Sequence, residues 1–402
     1  MAPQLTLHIG TPKSGTTYLQ TILRSGRKDL RRRGICFPGK DYLPHGGLNQ
    51  QPAIYALGRR NIGWVGQEAR ENAVRYFDRL CEEISAHSGR TLISAESLSF
   101  FDRTEIETLL ADLRADPAEV DVIITARDFG RLLPSIWQQN VKNGSSQPLE
   151  EYLSSLSALR GIPGVPLWTA FGLPGLVSRW SDVVDPRRIT LVTVPHRGRG
   201  ELWPRFATAA GVPEPLAENA VKDRSERNLS LTLSQTDLLR HLNQCLDDGR
   251  RSAEKQRLVR RKILDSWMRA ESRTGSPILL PERFRSLIER WANEDVQELR
   301  SLGVSVVGSL EDLRPASEQV TSPGAVAGTS LEQLAADLLL LLESPATAVP
   351  AIRRATVGLQ LVRALRRRLR GPAPAATAAV PAATAAAPPP LAPADSAATV
   401  EA

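Results

Sequence analysis

Three groups of residues in this chain have types and spacing that chemistry can use. The first is Gly10-Thr11-Pro12-Lys13-Ser14-Gly15-Thr16-Thr17, which follows a short apolar run and leads into a helix-forming one. A glycine-rich turn between a strand and a helix aims backbone N–H groups and the positive helix end at one spot, and that spot binds phosphate. Gly15 allows close backbone approach, Ser14, Thr16 and Thr17 add hydroxyl donors, and Lys13 adds a mobile positive charge. The second group is Arg127 with Ser135, eight positions on. A guanidinium at a strand end can grip a phosphate bidentately. Pro134 predicts a helix opening beside Ser135, where N–H groups and dipole favour an anion. The third group is a pair of candidate bases, Glu96 after an apolar run and His45 within FPGKDYLPHGGLNQ. A carboxylate at the carboxyl end of a parallel strand faces the ligand crevice, and an imidazole titrates near neutrality. Two phosphate grips together would suit the two ends of one nucleotide.

The loop nearly spells the triphosphate signature G-x-x-x-x-G-K-[ST], but its lysine is displaced inward to Lys13 and Thr16 fills the usual slot. A triphosphate site also needs a magnesium-binding acid at another strand end. Asp128 ends a strand, yet it follows Arg127, a poor metal environment. Asp128-Phe129-Gly130 mimics a kinase motif without the catalytic or glycine-rich loops that accompany it. Among the other histidines, His8 belongs to the first strand, where it packs or bonds locally, and His87 and His241 have polar, helix-like surroundings. His196 ends a strand within HRGRG and could touch a ligand.

Such groups need a frame. Strands are expected at residues 5–9, 35–37, 91–94, 120–125 and 189–194, with helices starting near Thr16, Glu71, Thr104, Pro134 and Ser234. Alternating strands and helices indicate an α/β domain with a mostly parallel central sheet flanked by helices. Residues 304–307 read as a late strand or a packed turn, and Ser234 with Asp237 as a capping box. The chain has 402 residues, of which 42% are hydrophobic, enough for a sizeable core. Its three cysteines are far apart, which is neither a disulfide framework nor a metal spacing and points to a reducing compartment. Neither a secretory signal nor a membrane-length apolar run is found. The net charge of +7 equals the seven arginines of residues 352–370, which include no acid, so the rest of the chain is formally neutral. That argues against a nucleic-acid partner, whose binding face would be basic over a whole domain.

The main domain is expected to span residues 1–315. Residues 316–370 read as a linker and helices, ending in an amphipathic Arg-rich helix over 352–370. Residues 371–402 are mostly Ala and Pro, a tail expected to be disordered. The basic helix either lies on anionic lipid or packs on the domain with a solvated Arg face. The expected location is cytoplasmic, with peripheral contact at the inner membrane face in the first case.

Pro12-Lys13-Ser14-Gly15-Thr16-Thr17-Tyr18-Leu19 resembles the 5′-phosphosulfate loop of the sulfotransferases that use 3′-phosphoadenosine-5′-phosphosulfate (PAPS). Arg127 and Ser135 are similar to that family's 3′-phosphate motif. The resemblance covers roughly residues 4–310, with its specific motifs in three short windows. It implies a three-layer, P-loop-like fold, PAPS as sulfuryl donor and no metal. Lys13 would contact the 5′-phosphate and the bridging oxygen of the leaving group. A later basic loop would be VKDRSERNLS, with Lys222, Arg224, Arg227 and Asn228. Glycan-modifying members use a glutamate in a segment like Glu-Lys-[Ser/Thr]-x-x-Tyr-Phe, and here Glu96 precedes Phe100 and Phe101, with Ser97 in place of the lysine. The His45 segment resembles a substrate-side loop of bacterial members, so either Glu96 or His45 serves as base. The implied acceptor is a glycan, glycolipid or small molecule presenting a hydroxyl or amine. The competing readings are a P-loop kinase or NTPase, and a non-catalytic nucleotide-binding scaffold docked by its basic helix.

Overall fold

The computed structural model describes residues 4–58, 65–214, 216, 230–246, 256–257, 260–264, 267 and 276–320. Lys222, Arg224, Arg227, Asn228, the Arg-rich segment and the Ala/Pro tail lie outside the described residues. Six strands form one sheet: β1 (Leu5–His8), β2 (Ile35–Cys36), β3 (Arg90–Ser94), β4 (Val120–Ala126), β5 (Ile189–Thr193) and β6 (Ser305–Val307). Their order is β2-β3-β1-β4-β5-β6, and every pairing is parallel. The uncertain run at 304–307 is therefore a strand, at the sheet edge.

Helices fill the connections: α1 (Thr16–Ser25), α2 (Arg27–Arg32), α3 (Pro44–Gly47), α4 (Gln51–Ile54), α5 (Gln67–Ser85) and α6 (Arg103–Asp112). They continue with α7 (Phe129–Lys142), α8 (Leu149–Leu159), α9 (Pro166–Phe171), α10 (Leu173–Ser181) and α11 (Leu202–Ala210). Two further helices span Leu233–Leu246 and Arg285–Ser301. Among the described residues, no helix is long and apolar enough to cross a membrane.

The central strands are buried on both faces: Val122–Ile124 of β4 are continuously apolar, while β1 buries Thr6 and His8 along with Leu5 and Leu7. Successive side chains point to opposite faces. Leu5, Leu7, Val122, Ile124 and Leu191 join α6, α10 and Arg285–Ser301 in one core. Leu92, Ile123 and Val192 join Leu19, Ile22, Trp203 and Phe206 of α1 and α11 in a second. These are the three layers, helix, sheet and helix. A third cluster packs α7 against α8, α9 and the helix Leu233–Leu246. There the Arg160 guanidinium stands 5.6, 5.0 and 5.0 Å from the ring centres of Phe129, Trp168 and Trp291 and pairs with Asp295 at 2.6 Å. That box fastens the first residue of α7.

Some helix starts differ from expectation. Helix α7 opens at Phe129, not Pro134, because Asp128 accepts a hydrogen bond from the Arg131 N–H and caps it. Helix α5 opens at Gln67 rather than Glu71. The capping box of the helix Leu233–Leu246 is Thr232 with Gln235, two residues before the expected pair, and Asp237 instead binds Arg240 at 2.8 Å. The described chain stays packed through Val320, which bridges Leu280.

Candidate functional site

In this strand order β1 connects toward one edge of the sheet and β4 toward the other. Ligands of open parallel sheets sit where the connections diverge, outside the carboxyl ends of the strands. Three of the sequence-derived groups end up here: the loop 10–15 after β1, Glu96 after β3 and Arg127 after β4.

The loop is a built turn. Gly10, Lys13 and Gly15 all have positive φ, at 90°, 65° and 88°. A Cβ on Gly15 would lie 2.5 Å from Leu202 Cδ2, and one on Gly10 would lie 3.4 Å from the Glu96 Cα. Positive φ favours glycine at both, and at Gly15 the close approach of Leu202 adds to it. Lys13 holds the same left-handed backbone with a side chain, a strained state that surrounding structure must impose. It is imposed from β4, where the Thr11 N–H donates to the Thr125 carbonyl at 2.6 Å and the Arg127 Nη1 donates to the Lys13 carbonyl at 3.1 Å. Helix α1 then begins at Thr16, leaving its first N–H groups turned to the loop.

Lys13 Nζ donates to Gln139 Oε1 at 2.8 Å, and Gln139 Nε2 donates to Asn143 Oδ1 at 3.1 Å. Burial holds the Lys13 ammonium below its ordinary value; Glu96 opposes this shift and Arg127 adds to it. Glu96 opens a 3₁₀ turn, and its Oε1 accepts from the Thr16 hydroxyl. Burial pushes its carboxyl up to about 7, against the pull of Lys13. A carboxyl titrating there can take a proton at neutral pH, and Lys13 stands close enough to influence it.

Ser135 lies inside α7 rather than in its first turn, so the expected helix-end N–H contact does not apply to it. It is one turn from Gln139, and residues at i and i+4 share a helix face, so Ser135 lies on the side of α7 that meets Lys13. His45 sits elsewhere. It forms a left-handed turn with Gly46 and Gly47, at φ 53°, 61° and 62°. Their carbonyls accept from Arg24 Nη1 at 3.2 Å, Arg27 Nη1 at 2.6 Å and Arg27 Nη2. The His45 side chain is exposed. Arg24 is eight residues along α1 from Thr16, roughly 12 Å of helix axis. His45 thus borders a lip at the far end of α1 from Glu96. Pro12 and Thr17 are half-buried beside the loop, and Ser14 is buried beneath it.

His8 bonds within the sheet, as its place in the first strand suggested, its ring reaching Ser94 of β3 on one side and Thr125 of β4 on the other. His196 turns inward, with Nδ1 2.8 Å from Gln319 Nε2 and 3.8 Å from Asp128. Two site residues escaped the sequence reading. Gln139 was foreshadowed only by its i+4 relation to Ser135. Arg179 of α10 donates to the carbonyls of Phe101, Ser99 and Thr169 at 3.2, 3.1 and 2.6 Å, pinning the turn that carries Glu96. Nothing local in the sequence marks it.

Comparison with protein-family models, with curated proteins and with solved structures finds no match to this chain.

Proposed function

We propose that this chain is a PAPS-dependent sulfotransferase with a P-loop-like domain, acting in the cytoplasm on a glycan, glycolipid or small-molecule hydroxyl. The observation that carries the reading is the convergence of Lys13, Glu96 and Arg127, from the ends of three adjacent strands, around one glycine turn. In this reading Glu96 takes the acceptor proton as the acceptor oxygen bonds to sulfur. The bond from sulfur to the bridging oxygen breaks, and Lys13 with the loop N–H groups neutralises the charge arriving on the leaving 5′-phosphate. Arg127 and Ser135 hold the 3′-phosphate and so separate PAPS from other adenine nucleotides. Most of the rest is in-line positioning.

A triphosphate reading would give Asp128 a magnesium role. Its carboxylate is committed elsewhere, accepting from the Arg131 N–H at 2.9 Å and pairing with Arg131 Nε at 2.5 Å. Calorimetry with adenosine 3′,5′-bisphosphate and with ATP-magnesium tests the choice. Tight bisphosphate binding, lost in Lys13→Ala, is expected. Binding of ATP-magnesium without the bisphosphate would overturn the reading. Bisphosphate binding with no sulfuryl transfer to any hydroxyl tried would favour the scaffold instead.

A further inference from the structure

Beneath the site runs an unbroken line of buried polar side chains. Ser14 Oγ is 2.6 Å from Thr125 Oγ1, which is 3.2 Å from His8 Nε2. His8 Nδ1 is 2.8 Å from Ser94 Oγ, which accepts from Gln20 Nε2 at 3.0 Å. Gln20 Oε1 accepts from Asn49 Nδ2 at 3.2 Å. Ser14, Thr125, His8 and Ser94 are fully buried, and Gln20 is nearly so.

The direction of every bond follows from one end. The Ser14 hydroxyl donates to the Thr11 carbonyl, so it can only accept from Thr125. Thr125 then spends its proton on Ser14 and must accept from His8, which fixes the His8 proton on Nε2. Burial holds the imidazole down to about 3, so the ring is neutral and Nδ1 is an acceptor. Ser94 therefore donates to Nδ1, which leaves its oxygen to accept from Gln20. The line runs head to tail, without a conflict, from Asn49 to the phosphate loop. A fully satisfied buried network rigidifies what it joins.

What it joins are two segments on different elements. One is the loop that carries Lys13. The other is the segment just after His45, where Gln50 also ties to Ser94 through its N–H at 3.0 Å and its Oε1 at 2.7 Å. We infer that His8 is a positioning residue, whose Nε2 side sets the phosphate loop through Thr125 and whose Nδ1 side sets the Asn49 segment through Ser94. The inference rests on the sulfotransferase reading only for the nucleotide used to probe it.

Two substitutions cut the two arms separately. Asn places an acceptor near the Nδ1 position and loses the Nε2 arm, whereas Gln reaches the Nε2 position and loses the Nδ1 arm. Amide hydrogen exchange in His8→Asn should speed up in residues 10–16 with residues 45–51 unchanged, and His8→Gln should give the reverse. Adenosine 3′,5′-bisphosphate affinity should fall about tenfold in His8→Asn alone, the order expected for losing one buried hydrogen bond. Thr125→Val and Ser94→Ala cut the same arms one residue further on and stand in where a His8 variant does not fold. Equal loosening of both segments in both variants, or of neither, would overturn the inference. Failure of the unaltered protein to bind the bisphosphate would count against the nucleotide reading, and the exchange pattern would still decide the role of His8.

Discussion

At the scale of single residues, Glu96 and Lys13 are electrostatically coupled, each favouring the other's charged form. A base whose carboxyl titrates at about 7 is half ionised at neutrality. On the proposed sulfotransferase reading the acceptor proton goes to the ionised form, so sulfuryl transfer should rise about tenfold per pH unit below 7 and level off above it. Glu96→Gln should lower the rate by ~100- to 10,000-fold and abolish that limb. A variant that keeps the limb would put the base elsewhere, and His45→Ala would be the next measurement. The loop itself was legible because its signal is local: glycines, a lysine and hydroxyls within eight positions mark a tight strand-to-helix turn whatever the rest of the chain does. The residues that escaped depend on distant partners. Lys13 and Gln139 are 126 positions apart, and Arg179 reaches Ser99 across 80.

At the scale of elements, the loop 10–15 is held in shape by its neighbours as well as by the bonds from Ser14 to the Thr11 carbonyl within it. Strand β4 pins one side of it, and Leu202 of α11 closes over Gly15. Gly15→Ala would force a side chain into left-handed backbone and against that leucine. The expected cost is about 1–3 kcal/mol, read as a lowered urea midpoint together with weakened bisphosphate binding. Gly46→Ala, whose added Cβ meets nothing within 4 Å, should leave bisphosphate binding intact. An equal loss of binding in both would show that the contact with Leu202 does not matter. Element boundaries were the least legible part of the sequence. Proline at the first helical position is a common start, which made Pro134 look like one. Asp128 supplies the stronger signal, a side-chain cap, and the helix absorbs Pro134 in its interior. The shift carries Ser135 from a helix end to a helix face, while leaving it on the side that meets Lys13.

At the scale of the whole molecule, strand and helix alternation made the α/β class legible, whereas the order of the strands was not. Neighbours such as β1 and β4 pair across more than a hundred residues, and no local pattern encodes that. The edge strand β6 was ambiguous for the opposite reason, since two of its three residues are exposed and it buries too little to write a clear apolar pattern. The central place of His8 has a thermodynamic consequence. Its imidazole takes a proton at an ordinary 6.5 when unfolded, and only at about 3 in the native sheet. Between those values the unfolded chain binds one proton more, so falling pH draws the equilibrium toward unfolding. Glu96 acts with the opposite sign: its carboxyl rises from 4.5 to about 7 on folding, so between those values it is the native state that binds the extra proton. The two slopes oppose each other where the windows overlap, from 4.5 to 6.5. His8→Gln removes one of them. Relative to the parent, its unfolding free energy should climb as pH falls below 6.5, by up to about 1.4 kcal/mol per unit, in urea titrations at each pH. A difference that stays constant with pH would mean that His8 is protonated in the native sheet. The ring that braces the site would thus also set how steeply the fold answers to acid.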